Sequence, residues 1–133
     1  MKSIFNTKLF QMLEKKSFIK GRFKSINYAF KGFFILLKNE HSIQAQFIFF
    51  IISVILGFYF SISSTEWIFQ IFGFGLIFTA EGLNTAIEEI ANFIHPEYHK
   101  KIGKIKDISA GAVTFAALTT IAIICIIYMP KFI

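Results

Sequence analysis

Residues 67–94 read WIFQIFGFGLIFTAEGLNTAIEEIANFI, and the fold turns on this stretch. Positions 67–80 hold no Asp, Glu, Lys or Arg, and the polar residues that follow are spaced along one face. At about 100° per residue, Asn84, Glu88 and Asn92 lie within roughly 60° of Glu81, with Thr85 among them. Leu83, Ile87 and Ile90 fall elsewhere on the helix. A spanning helix needs about 20 mainly apolar residues. The stretch therefore reads as one transmembrane helix with a polar stripe. It is longer than a bilayer requires, so its last turns emerge among the headgroups.

The neighbouring sequence agrees. Residues 41–65 and 108–130 also lack Asp, Glu, Lys and Arg. Three spans follow, at about 43–61, 67–94 and 108–129. Only 17% of the 133 residues are charged and 55% are hydrophobic, against about 25% charged in soluble domains. Lipid is the solvent this composition suits. It excludes a disordered chain, a coiled coil and a nucleic-acid tail, so the net charge of +6 does not imply a nucleic-acid partner. Cys125 is the sole cysteine, which excludes an internal disulfide and a cysteine-built zinc site.

The basic residues set the orientation. Lys2, Lys8, Lys15, Lys16, Lys20, Arg22, Lys24, Lys31 and Lys38 precede the first span, and Lys100, Lys101, Lys104 and Lys106 follow the second. The 61–66 turn has none. By the positive-inside rule the N-terminus and the 95–107 loop face the cytoplasm, and the C-terminus faces outward. Tyr59, Trp67 and Tyr128 then fall at the outer interface. The expected location is the cytoplasmic (inner) membrane, as a multi-pass protein.

Residues 1–20 form a basic N-terminal segment without the apolar run of a secretory signal. Residues 21–133 read as a single membrane domain. Within it, Phe23, Ile26, Phe30, Phe33, Phe34 and Leu37 recur at spacings of three and four while basic residues take other faces. This predicts an amphipathic surface helix over 22–39, lying in the cytoplasmic interface. The fold class is all-α: three transmembrane helices plus this surface helix.

Ionisable groups inside a membrane cost at least ~2.5–3.5 kcal/mol each on insertion scales, so the stripe is a functional candidate. Glu81 and Glu88 are seven residues apart, about 10 Å along the axis. They cannot share one proton or one metal and suit two tasks at two depths. A second cluster, from His95 to Asp107, carries four lysines, Glu97, Tyr98 and His99. Cations beside a carboxylate suit a polyphosphate. No GxxxxGK[ST] is present, which excludes a P-loop kinase.

Glu81-x-x-Asn84-Thr-Ala-Ile-Glu88, followed by Glu97-Tyr98-His99 and then Lys106-Asp107 ahead of an Ala/Gly-rich span, resembles the prokaryotic diacylglycerol kinase family, which includes undecaprenol kinases. Tyr28-Ala-x-Lys-Gly32 and Asn39-Glu40 fit as well. The resemblance runs from Arg22 to Met129. It implies an integral-membrane enzyme, working as a homotrimer with active sites at the cytoplasmic interface. Such an enzyme transfers the ATP γ-phosphoryl group to a lipid hydroxyl with Mg²⁺ or another divalent cation.

Position by position, the resemblance makes Glu81 the general base and Asn84 the amide that organises the site. Glu40 and Glu88 become the metal ligands. Tyr28, Glu97, Tyr98, His99, Lys106 and Asp107 bind the nucleotide. Arg22, one position out of the family's register, is a candidate for lipid or phosphate contact. Gln46 and Asn92 stand where some members carry acids, which would make neither essential.

The run from Lys106 to Val113 is closer to the undecaprenol-phosphorylating branch than to the enteric diacylglycerol branch. Two other classes are open to this sequence. One is a small cation or proton transporter using Glu81 and Glu88 as a relay; the other is a non-enzymatic membrane subunit.

Overall fold

The structure is a computed structural model that describes the backbone of residues 2–133 and the side chains of residues 18–133. Among the described residues it is all-α: α1 (Lys2–Asn39), α2 (His41–Tyr59), α3 (Ser64–Ile94) and α4 (Lys100–Phe132). The chain divides into two units, one ending at Asn39 and one comprising Glu40–Ile133.

The first unit is α1. It is helical from Lys2, twenty residues ahead of the surface helix that the sequence predicts. Phe23, Ile26, Phe30, Phe33 and Phe34 are all exposed along it. Arg22 lies over the Phe18 ring at 4.9 Å. Lys24 and Lys31 flank the Tyr28 ring at 5.8 and 5.9 Å.

The second unit is a three-helix bundle. α2 and α4 are each long and apolar enough to cross a bilayer. α3 has the length, 31 residues, but its polar stripe interrupts the apolar run. Each expected span lies within two residues of a helix, and the helices differ from the spans at their ends. α2 stops at Tyr59, and Ser61 takes a positive φ of 49° to turn the chain. α4 begins eight residues before the expected span, because the His99 ring caps it by accepting from the Lys101 N–H at 3.2 Å. The stretch 95–107, read as a loop, is therefore helical from Lys100. Pro130, expected just past a helix end, lies inside the last turn of α4. Its missing N–H forfeits one backbone bond there.

α3 starts at a capping box. Ser63 Oγ accepts from the Glu66 N–H at 3.3 Å, and Glu66 accepts from the Ser63 N–H at 2.7 Å. Lys131 pairs with Glu66 at 3.0 Å, fixing the end of α4 against the start of α3. Close approach needs glycine at two places. A Cβ at Gly57 would meet the Trp67 ring at 2.7 Å, and one at Gly73 would meet Ile123 at 3.3 Å. Thr120 Oγ1 reaches the Gly73 carbonyl at 2.9 Å.

Phe50 packs edge-on against both Phe74 and Phe78 in the bundle core, with centroids 5.2 Å apart for Phe50–Phe74. Such pairs contribute about 0.5–1.5 kcal/mol beyond their buried area. At the end of the bundle where α3 begins, the core is not purely apolar. The Tyr128 hydroxyl sits 2.8 Å from the Ser53 carbonyl and 2.7 Å from Gln70 Oε1, with Gln70 fully buried. This cluster is neutral.

Candidate functional site

The helical period of α3 decides which of its polar residues turn inward. Glu81 is buried, Asn84, Thr85 and Glu88 are half-buried, and Leu83, Glu89 and Ile90 are exposed. From Glu81 to Glu88 the stripe faces the bundle and Leu83, Ile87 and Ile90 face outward, as the spacing predicts, whereas Asn92, expected on the same face, is exposed.

Glu81 is 7% exposed. Gln46 of α2 donates to it from Nε2 at 3.4 Å, a long hydrogen bond. Gln46 Oε1 is buried with no partner. One turn further on, Asn84 Nδ2 donates to Glu88 Oε1 at 3.0 Å. A carboxylate only accepts, so the Asn84 NH₂ must face Glu88. That leaves Asn84 Oδ1 buried and unpartnered beside the carboxylate. Oxygen donors of this kind suit a hard divalent cation. Among the described residues no three His, Cys, Asp or Glu side chains converge as a metal site.

Glu40 is the backbone N-cap of α2, where its carbonyl accepts from the Gln44 N–H at 3.0 Å. It is half-buried, and its side chain makes no capping hydrogen bond to α2. Tyr28 and Arg22 belong to the α1 unit and are described with it.

Lys106 and Asp107 diverge because adjacent helical positions point about 100° apart. Lys106 turns to α3 and donates to Asn92 Oδ1 at 3.1 Å. Asp107 instead lines an open groove of about 680 Å³ with Tyr98, Lys100, Lys101, Gly103 and Lys104. Tyr98 is 91% exposed. Between α3 and α4 the turn is held by His95 Nδ1, which donates to the Glu97 carbonyl at 2.9 Å. The His95 and His99 rings lie 5.1 Å apart. The three lysines and Asp107 make this groove a cationic surface with one acid in it.

Two contacts are not legible in the sequence pattern. Gln46, set aside as dispensable, touches Glu81. Asn92, set aside likewise, holds Lys106. Lys100 and Lys101, part of the cationic cluster in the sequence, line a groove with Tyr98 and Asp107. An amide in an otherwise charge-free helix was the available signal for Gln46.

A profile of the family described as prokaryotic diacylglycerol kinase matches residues 27–128. The undecaprenol kinase of Bacillus subtilis (strain 168) is 32% identical over 109 residues, covering 82% of this chain and 89% of that protein. The diacylglycerol kinase of Escherichia coli (strain K12) is 26% identical over 109 residues, with the same coverage. With the stripe, the capped turn and the Lys106–Asp107 pair all inside the matched region, the chain belongs to the prokaryotic diacylglycerol kinase family, a family of lipid kinases.

Proposed function

We propose that this lipid kinase transfers the γ-phosphoryl group of ATP to the hydroxyl of a membrane lipid alcohol, with Glu81 as the general base. The observation that carries the assignment is the separation of two acidic stations on α3. Glu81 is buried and held by an amide from α2, whereas Glu88 is half-buried and held by Asn84. The deeper station suits the lipid hydroxyl, and the shallower one suits the nucleotide side.

In the reaction the hydroxyl oxygen bonds to the γ-phosphorus and the bond to the β–γ bridging oxygen breaks, releasing ADP. The hydroxyl proton passes to the Glu81 carboxylate. Asn84 holds Glu88 in place. Lys106, anchored near the stripe by Asn92, supplies positive charge for the phosphoryl oxygens. Tyr28, Tyr98, His99, Glu97 and Asp107 bind the nucleotide, and Arg22 contacts phosphate or lipid. Glu88, Glu40 and the free Asn84 Oδ1 would hold the divalent cation. Bound there, it would neutralise charge on the phosphates.

The working unit in this reading is a homotrimer in the cytoplasmic membrane, with three spans and the site facing the cytoplasm. The placement of thirteen of the fourteen basic residues before residue 39 and at 100–106 supports that orientation. Undecaprenol is the preferred acceptor over diacylglycerol. The higher identity to the undecaprenol kinase supports this choice.

The test compares Glu81→Gln and Glu88→Gln. Glu81→Gln is expected to abolish turnover and retain Mg·ATP binding; Glu88→Gln is expected to lose both. Equal loss of binding in the two variants would reject this division of roles.

A further inference from the structure

The net charge of +6 sits at one end of the chain. Residues 1–24 hold seven basic residues and one acid, Glu14, a surplus of six. From residue 25 onward, seven basic and seven acidic residues cancel. The surplus lies ahead of residues 27–128, which carry the family match, and the phosphoryl chemistry above draws on only one member of it, Arg22.

This segment is helical. α1 runs without a break from Lys2 to Asn39, so residues 2–26 extend about 37 Å at 1.5 Å per residue. In the sequence Phe5, Met12, Ile19, Ile26 and Phe33 recur every seven residues, close to two helical turns, which places these positions on one face. Among the described side chains, Phe18, Ile19, Phe23 and Ile26 are exposed. The Arg22 guanidinium lies over the Phe18 ring at 4.9 Å, so cation and apolar surface are presented together.

Charge decides what covers such a helix. A second copy would meet apolar face with apolar face, but would bring two like surpluses of positive charge together. A free phosphate ion offers charge and no apolar layer. A sheet of anionic lipid offers both: acyl chains for the apolar face and headgroup phosphates for the lysines. We propose that residues 2–26 form a basic arm that docks on anionic phospholipid headgroups at the membrane surface, recruited by lipid charge. The arm goes beyond the catalytic reading and shares with it only the membrane setting. It makes the enzyme sensitive to the headgroup composition of the bilayer that holds it.

The test uses the full chain in lipid nanodiscs, which leave both membrane faces accessible. A fluorophore is attached at Met12→Cys in a Cys125→Ser background, and its quenching by acrylamide is measured. In discs with about 30 mol % phosphatidylglycerol, quenching should be about three-fold weaker than in pure phosphatidylcholine. Raising the salt to about 1 M shortens the screening length to about 3 Å and should bring quenching back towards the phosphatidylcholine value. Combined replacement of Lys8, Lys15, Lys16 and Lys20 by Gln should remove the difference between the two lipids and leave kinase activity in detergent unchanged. Equal quenching of the parent protein in the two lipids overturns the proposal. So does strong protection already present in phosphatidylcholine, which gives the face to a second copy or to neutral lipid. Quenching needs no turnover. Lipid-dependent protection without phosphoryl transfer therefore rejects the kinase reading alone, and transfer without such protection rejects the arm alone.

Discussion

Lys106 Nζ donates to Asn92 Oδ1 at 3.1 Å, across the fourteen residues that contain the turn between α3 and α4. The pair fixes the first turns of α4 to the polar stripe of α3. Asp107, the next residue, is thereby directed away from the stripe and into the cationic groove with Tyr98. One turn of helix thus serves two surfaces.

The two partners of that bond should not be equal. Lys106→Met removes a positive charge from the reacting phosphates and is expected to lower kcat by about 10²-fold or more. Asn92→Leu removes only an exposed anchoring hydrogen bond, of about 0.5–1.5 kcal/mol, and should cost roughly ten-fold or less. Steady-state kinetics on both variants checks this ordering; a larger loss in Asn92→Leu would contradict it.

Asn84 donates from Nδ2 to Glu88 and leaves its own Oδ1 buried without a partner. Asn84→Leu removes a cation donor and the hold on Glu88 together. The concentration of Mg²⁺ needed for half-maximal activity should rise by about ten-fold or more, by analogy with the loss of ligand-orienting groups at metal sites. Titration of activity with Mg²⁺ at fixed ATP measures it. An unshifted midpoint would place the cation elsewhere.

Gly57 has no room for a side chain, since a Cβ there would meet the Trp67 ring at 2.7 Å. Gly57→Ala should destabilise the bundle by about 1–3 kcal/mol, the usual cost of overpacking. Gly75, with nothing near its Cβ position, should accept alanine without loss. Thermal unfolding in detergent distinguishes them, and equal midpoints would contradict the packing of α2 on α3.

Glu66 titrates at about 2 rather than 4.5, chiefly because the Ser63 N–H donates to its carboxylate and Lys131 adds a second partner. A folded-state pKa below the unfolded one stabilises above the unfolded value and loses that contribution as pH falls through the folded value. The gap in melting temperature between the wild type and Glu66→Gln should therefore be full above about pH 4.5 and shrink towards pH 2. A gap that is constant over this window would show that the carboxylate charge contributes nothing.

Much of the second unit is legible in its sequence. The stripe on α3 follows from period alone, because a helix that buries Glu81 must also turn Asn84 and Glu88 inward. The ends of the helices are harder. Lys100–Asp107 looks like a charged loop by composition, yet the His99 ring caps a helix there, and a histidine cap has no strong sequence signature. Gln46 is illegible for a different reason. Its importance comes from a contact 35 residues away on another helix, which no local pattern encodes. The cationic groove is likewise a product of the early start of α4, which brings Lys100, Lys101 and Lys104 onto one helical surface with Asp107.

The most direct test of the central claim is phosphoryl transfer by the purified protein in detergent. It would be supplied with γ-labelled ATP, Mg²⁺ and either undecaprenol or diacylglycerol. The account predicts that label enters the lipid fraction, faster with undecaprenol, and that Glu81→Gln stops it. A folded protein that transfers no label to either lipid in the presence of Mg²⁺ would contradict the account.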